Sequence, residues 1–363
     1  MVPPLAQCGK DKLLTTPFLV IWADTKGVIF MTKYKTAESV SPKHPDKICD
    51  RVSDALLDAY LAQDPNSRVA IDVAGGHGTV FVTGEVTSKA KGIDVTAIVK
   101  RIAGDVEVIE HLAAQSQEIA SGVDTGGAGD QGIMVGYACD ETTELLPLEV
   151  VLSRNLNQYL YERWPYDGKT QVTTADGVID TIVASFQHAK KMELEAAVNE
   201  WLRGQKYAQY KLAGSVNHVE PRVTLHCNPA GDWDRGGFDA DAGLTGRKLI
   251  VDNYGPRVPI GGGAFSGKDP SKVDRSAAYM ARKIARDYLK RFNAREVTVY
   301  LAYAIGYSQA IEATAVVDGK EQVVEGYDLS PNGIIKALNL KQPTYEQTAT
   351  YGHFGHNKFT WEQ

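Results

Sequence analysis

Residues 41–87 read SPKHPDKICDRVSDALLDAYLAQDPNSRVAIDVAGGHGTVFVTGEVT. After SPKHPDK, Ile48, Val52, Ala55, Leu56 and Ala59 recur at three- and four-residue spacing until Asp64-Pro65 interrupts them, which predicts an amphipathic helix. Pro45 stands where a first-turn proline is tolerated, so His44 and Asp46 fall at the positive end of the helix. Asp54 and Asp58 read as its solvated face. RVAIDV and TVFVTGEVT alternate apolar and polar residues around the turn-forming GGHG, the pattern of a β-hairpin with one solvated side.

The same grammar continues downstream. A strand-like IMVGYA precedes a helical run from Leu148 to about Tyr161, and KTQVTTADGVIDTIVASFQ is a strand pair turning at Asp176-Gly177. PRVTLHCN, the helix SAAYMARKIARDYLKRF and the strand EVTVYLAYAIG follow, with Tyr279, Tyr288 and Phe292 expected as packing residues. Helices mixed with antiparallel hairpins predict α+β layers rather than a doubly wound parallel sheet. With 363 residues, several packed domains are expected. Residues 1–31 are expected to be an extension outside that fold, with Met31 as the functional start.

A net charge of −6 and the lack of a long Lys/Arg run argue against a nucleic-acid binder, so any anion site is local. No segment reads as a membrane span. Cys8, Cys49, Cys139 and Cys227 are far apart, which suits reduced thiols in the cytoplasm. His353 and His356 read as structural, without a zinc-site pattern. His188 and His226 have no ligand spacing.

Three segments carry chemistry. GGGAFSGKDPSK (261–272) gathers glycines that let backbone N–H groups approach an anion, and Asp269-Pro270 is expected to begin a helix whose dipole favours phosphate. Its spacing is not that of a Walker A loop. GAGDQG (127–132) encloses Asp130, and HPDK (44–47) sets an imidazole, a carboxylate and an ammonium at a helix start. Each alone has a bland reading, as a turn or a cap.

HPDK, GAGDQG, DGK, GLTGRK and GGGAFSGKDPSK in this order resemble the signature segments of methionine adenosyltransferases, also called S-adenosylmethionine synthetases, from about Thr36 to Trp361. The resemblance implies three similar α+β domains of mixed or antiparallel sheet about a pseudo-threefold axis, here 32–126, 127–234 and 235–363. It implies attack of the methionine sulfur on C5′ of ATP, then hydrolysis of tripolyphosphate. The implied catalytic groups are His44, Lys169, Arg247, Lys248, Lys268 and Lys272. ATP would be bound by His44, Asp130, Asp167, Lys169, Asp232, Trp233, Asp241, Arg247, Lys248, Ala264 and Lys268, with Glu38 and Ile305 also lining the pocket. Methionine would be bound by Glu85, Gln115, Asp241 and Lys272. Asp46 and Asp274 would hold two Mg²⁺ ions, and Asp72 stands at the K⁺ position, one methylene shorter than the usual glutamate. Trp233 replaces the usual stacking phenylalanine. Gln115 to Asp124 resembles a gating loop, shortened before Gly127. The implied state is a homodimer or homotetramer with the site at the subunit interface.

Two other readings predict different residues. A polyphosphate hydrolase would lose Glu85 and Gln115, and a silent regulatory homologue would lose His44, Asp46 or the lysines. All are present.

Overall fold

The computed structural model describes residues 14–16, 19–23, 29–115, 126–204 and 223–363. The first described strands, β1 (Leu14–Thr16), β2 (Leu19–Ala23) and β3 (Ile29–Met31), form an antiparallel meander hydrogen-bonded as a sheet of its own. β4 (Tyr34–Val40) leads into α1 (Pro45–Gln63), the hairpin of β5 (Arg68–Gly76) and β6 (Thr79–Thr87), α2 (Val95–Ala103) and β7 (Glu107–Ala113). Next come β8 (Gly132–Cys139), α3 (Leu148–Tyr161), the hairpin of β9 (Gly168–Ala175) and β10 (Val178–Phe186), α4 (Lys191–Gly204) and β11 (Thr224–Cys227). Last come β12 (Gly243–Leu244), α5 (Leu249–Asp252), α6 (Val273–Phe292), β13 (Glu296–Tyr303), β14 (Glu312–Val317), β15 (Lys320–Val323) and α7 (Pro331–Ala337).

These strands make three four-stranded sheets by a cyclic exchange. Each sheet has a central hairpin, and the outer edge of that hairpin's first strand is completed by a strand from elsewhere. β4 pairs with β9, β8 with β13, and β12 with β5, all antiparallel. β7 and β11 return parallel to β6 and β10 through the helices α2 and α4, as a parallel neighbour requires. One apolar cluster runs through all three sheets, including Val69 and Ile71, Val172 and Ile182, and Val297 and Leu301.

Local chemistry sets the elements as expected. His44 is the N-cap of α1, accepting the Asp46 amide on Nδ1 at 3.2 Å, with Pro45 in the first turn. On β5 and β6 the alternate residues Val69, Ile71, Val73, Val80 and Val82 are buried, leaving Asp72 and Phe81 on the open side. Asp176 and Gly177, with φ of 50° and 82°, make the β9–β10 turn.

Three expectations need correction. Asp54 is fully buried, and Asp58 accepts the Tyr345 and Glu346 amides at 2.8 and 2.9 Å. Periodicity shows which face is polar, not what covers it. The helix expected from Asp269-Pro270 begins at Val273, because the Asp269 carboxylate is turned inward to the amides of Val69 (2.7 Å) and Ser271 (2.8 Å). Phe292, at the end of α6, is 43% exposed, whereas Tyr279 and Tyr288 are buried.

Asp54 takes both guanidinium nitrogens of Arg275, at 2.7 and 2.9 Å, joining α1 to α6 in the interior. Removing one partner of such a pair strands the other charge, so Asp54→Ala should destabilise the fold by about 3–5 kcal/mol. Urea unfolding should show this loss, and Arg275→Leu added to Asp54→Ala should recover part of it.

Candidate active site

The outer edge of β5 is lined by two successive loops. Gly243 and Leu244 pair with Gly75 and Ala74, and the Thr245 amide donates to Val73 O at 2.9 Å. Further along, Ile71 N donates to Gly267 O at 3.1 Å and Asp269 N to Val69 O at 2.9 Å. Gly267 has φ of 81°, and a Cβ there would lie 1.9 Å from Ile71 O, so this contact requires glycine. GLTGRK and GAFSGKD are thus held side by side on one strand edge.

α1 fixes both loops from its acidic face. Asp46 accepts the Leu244 amide (3.0 Å), Asp50 the Gly246 amide (2.8 Å) and Asp54 the Gly267 amide (2.9 Å). Lys47 points inward, buried, between Asp50 (2.9 Å) and both oxygens of Asp252 (2.7 Å). Asp50 and Asp54 support these loops, and motif reading passed over both. Their signal was present as an aspartate at every fourth position from 46 to 58.

One set of expected site residues gathers at the N-terminus of α1. Asp46 bonds Lys248 Nζ at 2.5 Å and lies 3.5 Å from Arg247 Nε. Burial pushes its pKa up, but the Lys248 and Leu244 hydrogen bonds outweigh this and hold the carboxyl below its usual range. Burial, then the Lys248 charge, lowers the His44 pKa to about 4, so the imidazole is neutral at pH 7. With Nδ1 accepting the Asp46 amide, the proton is on Nε2, a donor. Lys169 and Asp241 act electrostatically on His44, and Lys169 also lies 3.4 Å from Glu38. Asp167 accepts the Gly237 amide at 3.0 Å, and burial raises its pKa. Trp233 is half-buried nearby in sequence, whereas Asp232 accepts the Lys191 amide at 2.8 Å, at the start of α4.

A second set lies along the other half of the β5 edge. Lys268 forms a close ion pair with Asp274, which also accepts the Gly263 amide at 3.3 Å. Asp72 is on the open face of β5 within the influence of Lys268, although burial raises its pKa. Glu85 stands opposite Ala70, which in turn bridges to Lys268, so Glu85 shares that face. Gln115, just past β7, donates its amide to Thr87 Oγ1 at 3.3 Å, and the rest of the expected gating loop lies outside the described residues. Asp130 accepts the Gln131 amide, and its loop joins the exposed Ile305 segment through Ala128 and Gly306. Ala264 abuts Gly246, where the two loops touch. Lys272 is buried against Asp269 at 2.5 Å. Among the described residues, no three His, Cys, Asp or Glu side chains converge as a metal site.

Residues 32–125 match the S-adenosylmethionine synthetase N-terminal domain, 125–233 the central domain and 235–363 the C-terminal domain. The chain belongs to the S-adenosylmethionine synthetase family. S-adenosylmethionine synthase 1 of Frankia casuarinae is 43% identical over 90% of this chain and 95% of its own length. The S-adenosylmethionine synthases of Salinibacter ruber and Mycobacterium marinum are 40% and 43% identical, each over 90% of this chain and 95% of their own.

In this synthetase the β5 edge sets where the cations stand. Gly267→Ala should displace the Lys268 loop, and a misplacement of that kind should lower kcat/KM for S-adenosylmethionine synthesis by about 100-fold. Steady-state kinetics on the folded variant would measure it.

Proposed function

We propose that this S-adenosylmethionine synthetase joins ATP and L-methionine by direct displacement, using the neutral His44 donor and the surrounding cations to stabilise the leaving tripolyphosphate. The sulfur lone pair forms the S–C5′ bond, the C5′–O bond breaks, and its electrons pass to the tripolyphosphate oxygen. No proton leaves the sulfur, so no base or activated nucleophile is needed. What the step needs is preorganised positive charge and a donor at the departing oxygen. The observation that carries this reading is the grouping of Nε2–H of His44 with Arg247, Lys248 and Lys169 at the positive end of α1.

In this reading Asp167 and Trp233 hold the nucleoside, with Glu38, Asp130, Asp232, Ala264 and Ile305 around it, and Trp233 stacks on the base. Glu85 and Gln115 take the polar end of methionine, helped by Asp241 and Lys272. The same cations then serve the hydrolysis of tripolyphosphate by water to phosphate and pyrophosphate.

Asp46 and Asp274 suit Mg²⁺: each is a hard oxygen donor oriented by a backbone amide, and Mg²⁺ takes few carboxylates plus phosphate oxygens. Bound there, two ions would neutralise charge developing on the polyphosphate. The K⁺ position fits less well, since Asp72 is a single short carboxylate with the Lys268 charge beside it.

Leu244 and Lys268 contact β5 four residues apart, so their backbone anchor points stand about 13 Å apart along the strand. A second copy that brings its own half opposite would complete the site, and exposed Phe81 and Ile109 beside Asp72 and Glu85 suit such a contact. We therefore read the protein as a homodimer or larger homo-oligomer of three-domain chains with bounds at 32–126, 127–234 and 235–363. Buried free Cys49, Cys139 and Cys227 suit the cytoplasm. Among the described residues no helix is long and apolar enough to cross a membrane.

Purified protein with ATP, methionine and Mg²⁺ should form S-adenosylmethionine, phosphate and pyrophosphate. His44→Ala should cut kcat by roughly 10²–10³, the loss typical of one donor to a developing oxyanion. Chelating Mg²⁺ should abolish synthesis, and exchanging K⁺ for Na⁺ should leave the rate unchanged. Phosphate release without S-adenosylmethionine would favour a polyphosphate hydrolase instead.

A further inference from the structure

We infer that Gln187 and His188 form a two-residue clamp that positions the nucleoside pocket, joining the Tyr166–Asp167 corner to the Trp233–Asp234 corner. Neither stands in a motif, and each is attached to both corners. The Gln187 side chain accepts the Asp167 amide on Oε1 at 3.3 Å and donates from Nε2 to Asp234 O at 2.9 Å. Its own amide donates to Asp167 O at 2.9 Å. The His188 amide donates to Trp233 O at 2.9 Å, its Nδ1 lies 3.1 Å from Asp234 Oδ1, and its ring meets the Tyr166 ring edge-on at 4.6 Å.

The geometry is tight enough to transmit position. His188 has φ of 65°, an uncommon left-handed conformation for a residue with a side chain, held here from both sides. Gly236 is buried, and a Cβ there would lie 2.5 Å from Trp233 Cζ3 and 2.7 Å from Gln187 Oε1, so the indole and the amide pack directly across it. The Gly237 amide then returns to the Asp167 carboxylate at 3.0 Å. An aromatic ring for the base and a carboxylate acceptor for hydroxyls are thereby fixed relative to each other. They sit on separate segments, and Gln187 sets their spacing through hydrogen bonds to both.

The inference rests on the assignment of Asp167 and Trp233 to ATP, and it is confined to the nucleoside. Of the triphosphate cations, Arg247, Lys248 and Lys268 stand on loops attached to α1 and β5, and Lys169 is held within β9 by its pairing with β4 and β10. Gln187 should therefore matter for ATP but not for inorganic tripolyphosphate, which has no nucleoside to place. A merely structural role would affect both.

The test uses the full-length enzyme with Gln187→Met, which keeps the side-chain length and removes both hydrogen bonds, and with Gln187→Glu, which keeps the acceptor for the Asp167 amide. KM for ATP in S-adenosylmethionine synthesis should rise about tenfold in Gln187→Met, as expected for loss of two hydrogen bonds, and less in Gln187→Glu. The kcat of synthesis and the hydrolysis of added tripolyphosphate should stay at the wild-type level in both. Equal losses in ATP and tripolyphosphate reactions, or an unchanged KM for ATP, would overturn the clamp. If Gln187→Met does not fold, the decision passes to Gln187→Glu, where an unchanged KM for ATP overturns it. A wild-type protein that hydrolyses tripolyphosphate but makes no S-adenosylmethionine would instead remove the ATP assignment beneath it.

Discussion

Asp46, Asp50, Asp54 and Asp58 each accept main-chain amides from the C-terminal part of the chain, and the placement of the charged loops follows from these contacts. The match is geometric. Four residues of helix advance about 6 Å, and two residues of strand advance about 6.8 Å, so a helix lying along β5 can meet successive residues of its outer edge. The amides at Leu244, Gly246 and Gly267 are the donors that β5 leaves facing the helix. Buried carboxylates need partners, and here each has a backbone donor, while Asp46, Asp50 and Asp54 also have a cation: Lys248, Lys47 and Arg275.

The ladder answers an electrostatic difficulty. Arg247, Lys248 and Lys268 are carried on neighbouring loops of one edge, and packing like charges together is unfavourable unless something compensates. Asp46 and Asp274 do so directly, each in a close pair with a lysine. The pairing neutralises part of the positive charge that the two loops carry. Lys47 and Lys272 are different. Both are buried against aspartates, Lys47 against Asp50 and Asp252 and Lys272 against Asp269.

The cyclic exchange of strands explains why loops far apart in sequence share one edge. β12 belongs to the C-terminal stretch yet completes the sheet of β5, just as β4 completes that of β9 and β8 that of β13. The sheets therefore cannot be built one at a time from local sequence. Arg154 follows the same logic: buried in α3, it donates to the carbonyls of Val251, Asn253 and Phe354 and ties the middle of the chain to its end. Glu362 at the tail receives both ends of the Arg282 guanidinium, at 2.9 and 3.0 Å.

The sequence by itself determined the elements with strong periodicity or specific turn chemistry. The Leu148–Tyr161 helix, the Asp176-Gly177 hairpin and the capped start of α1 at His44-Pro45 all follow from neighbours within a few residues. It also determined the inventory of cations and carboxylates, because ordered motifs record residue type. α2 and α4 were less legible, and the helix after GGGAFSGKDPSK was read a few residues early, since Asp269 is recruited by Val69, distant in sequence. Tertiary structure alone decided that Asp54 is buried and that Asp58 is taken up by the Tyr345 and Glu346 amides, that Lys47 turns inward, and that Gln187 joins the Asp167 and Trp233 corners. The physical reason is that a polar side chain states only that it needs a partner. Whether water, a backbone amide or another charge supplies it depends on which strand edge the fold brings alongside.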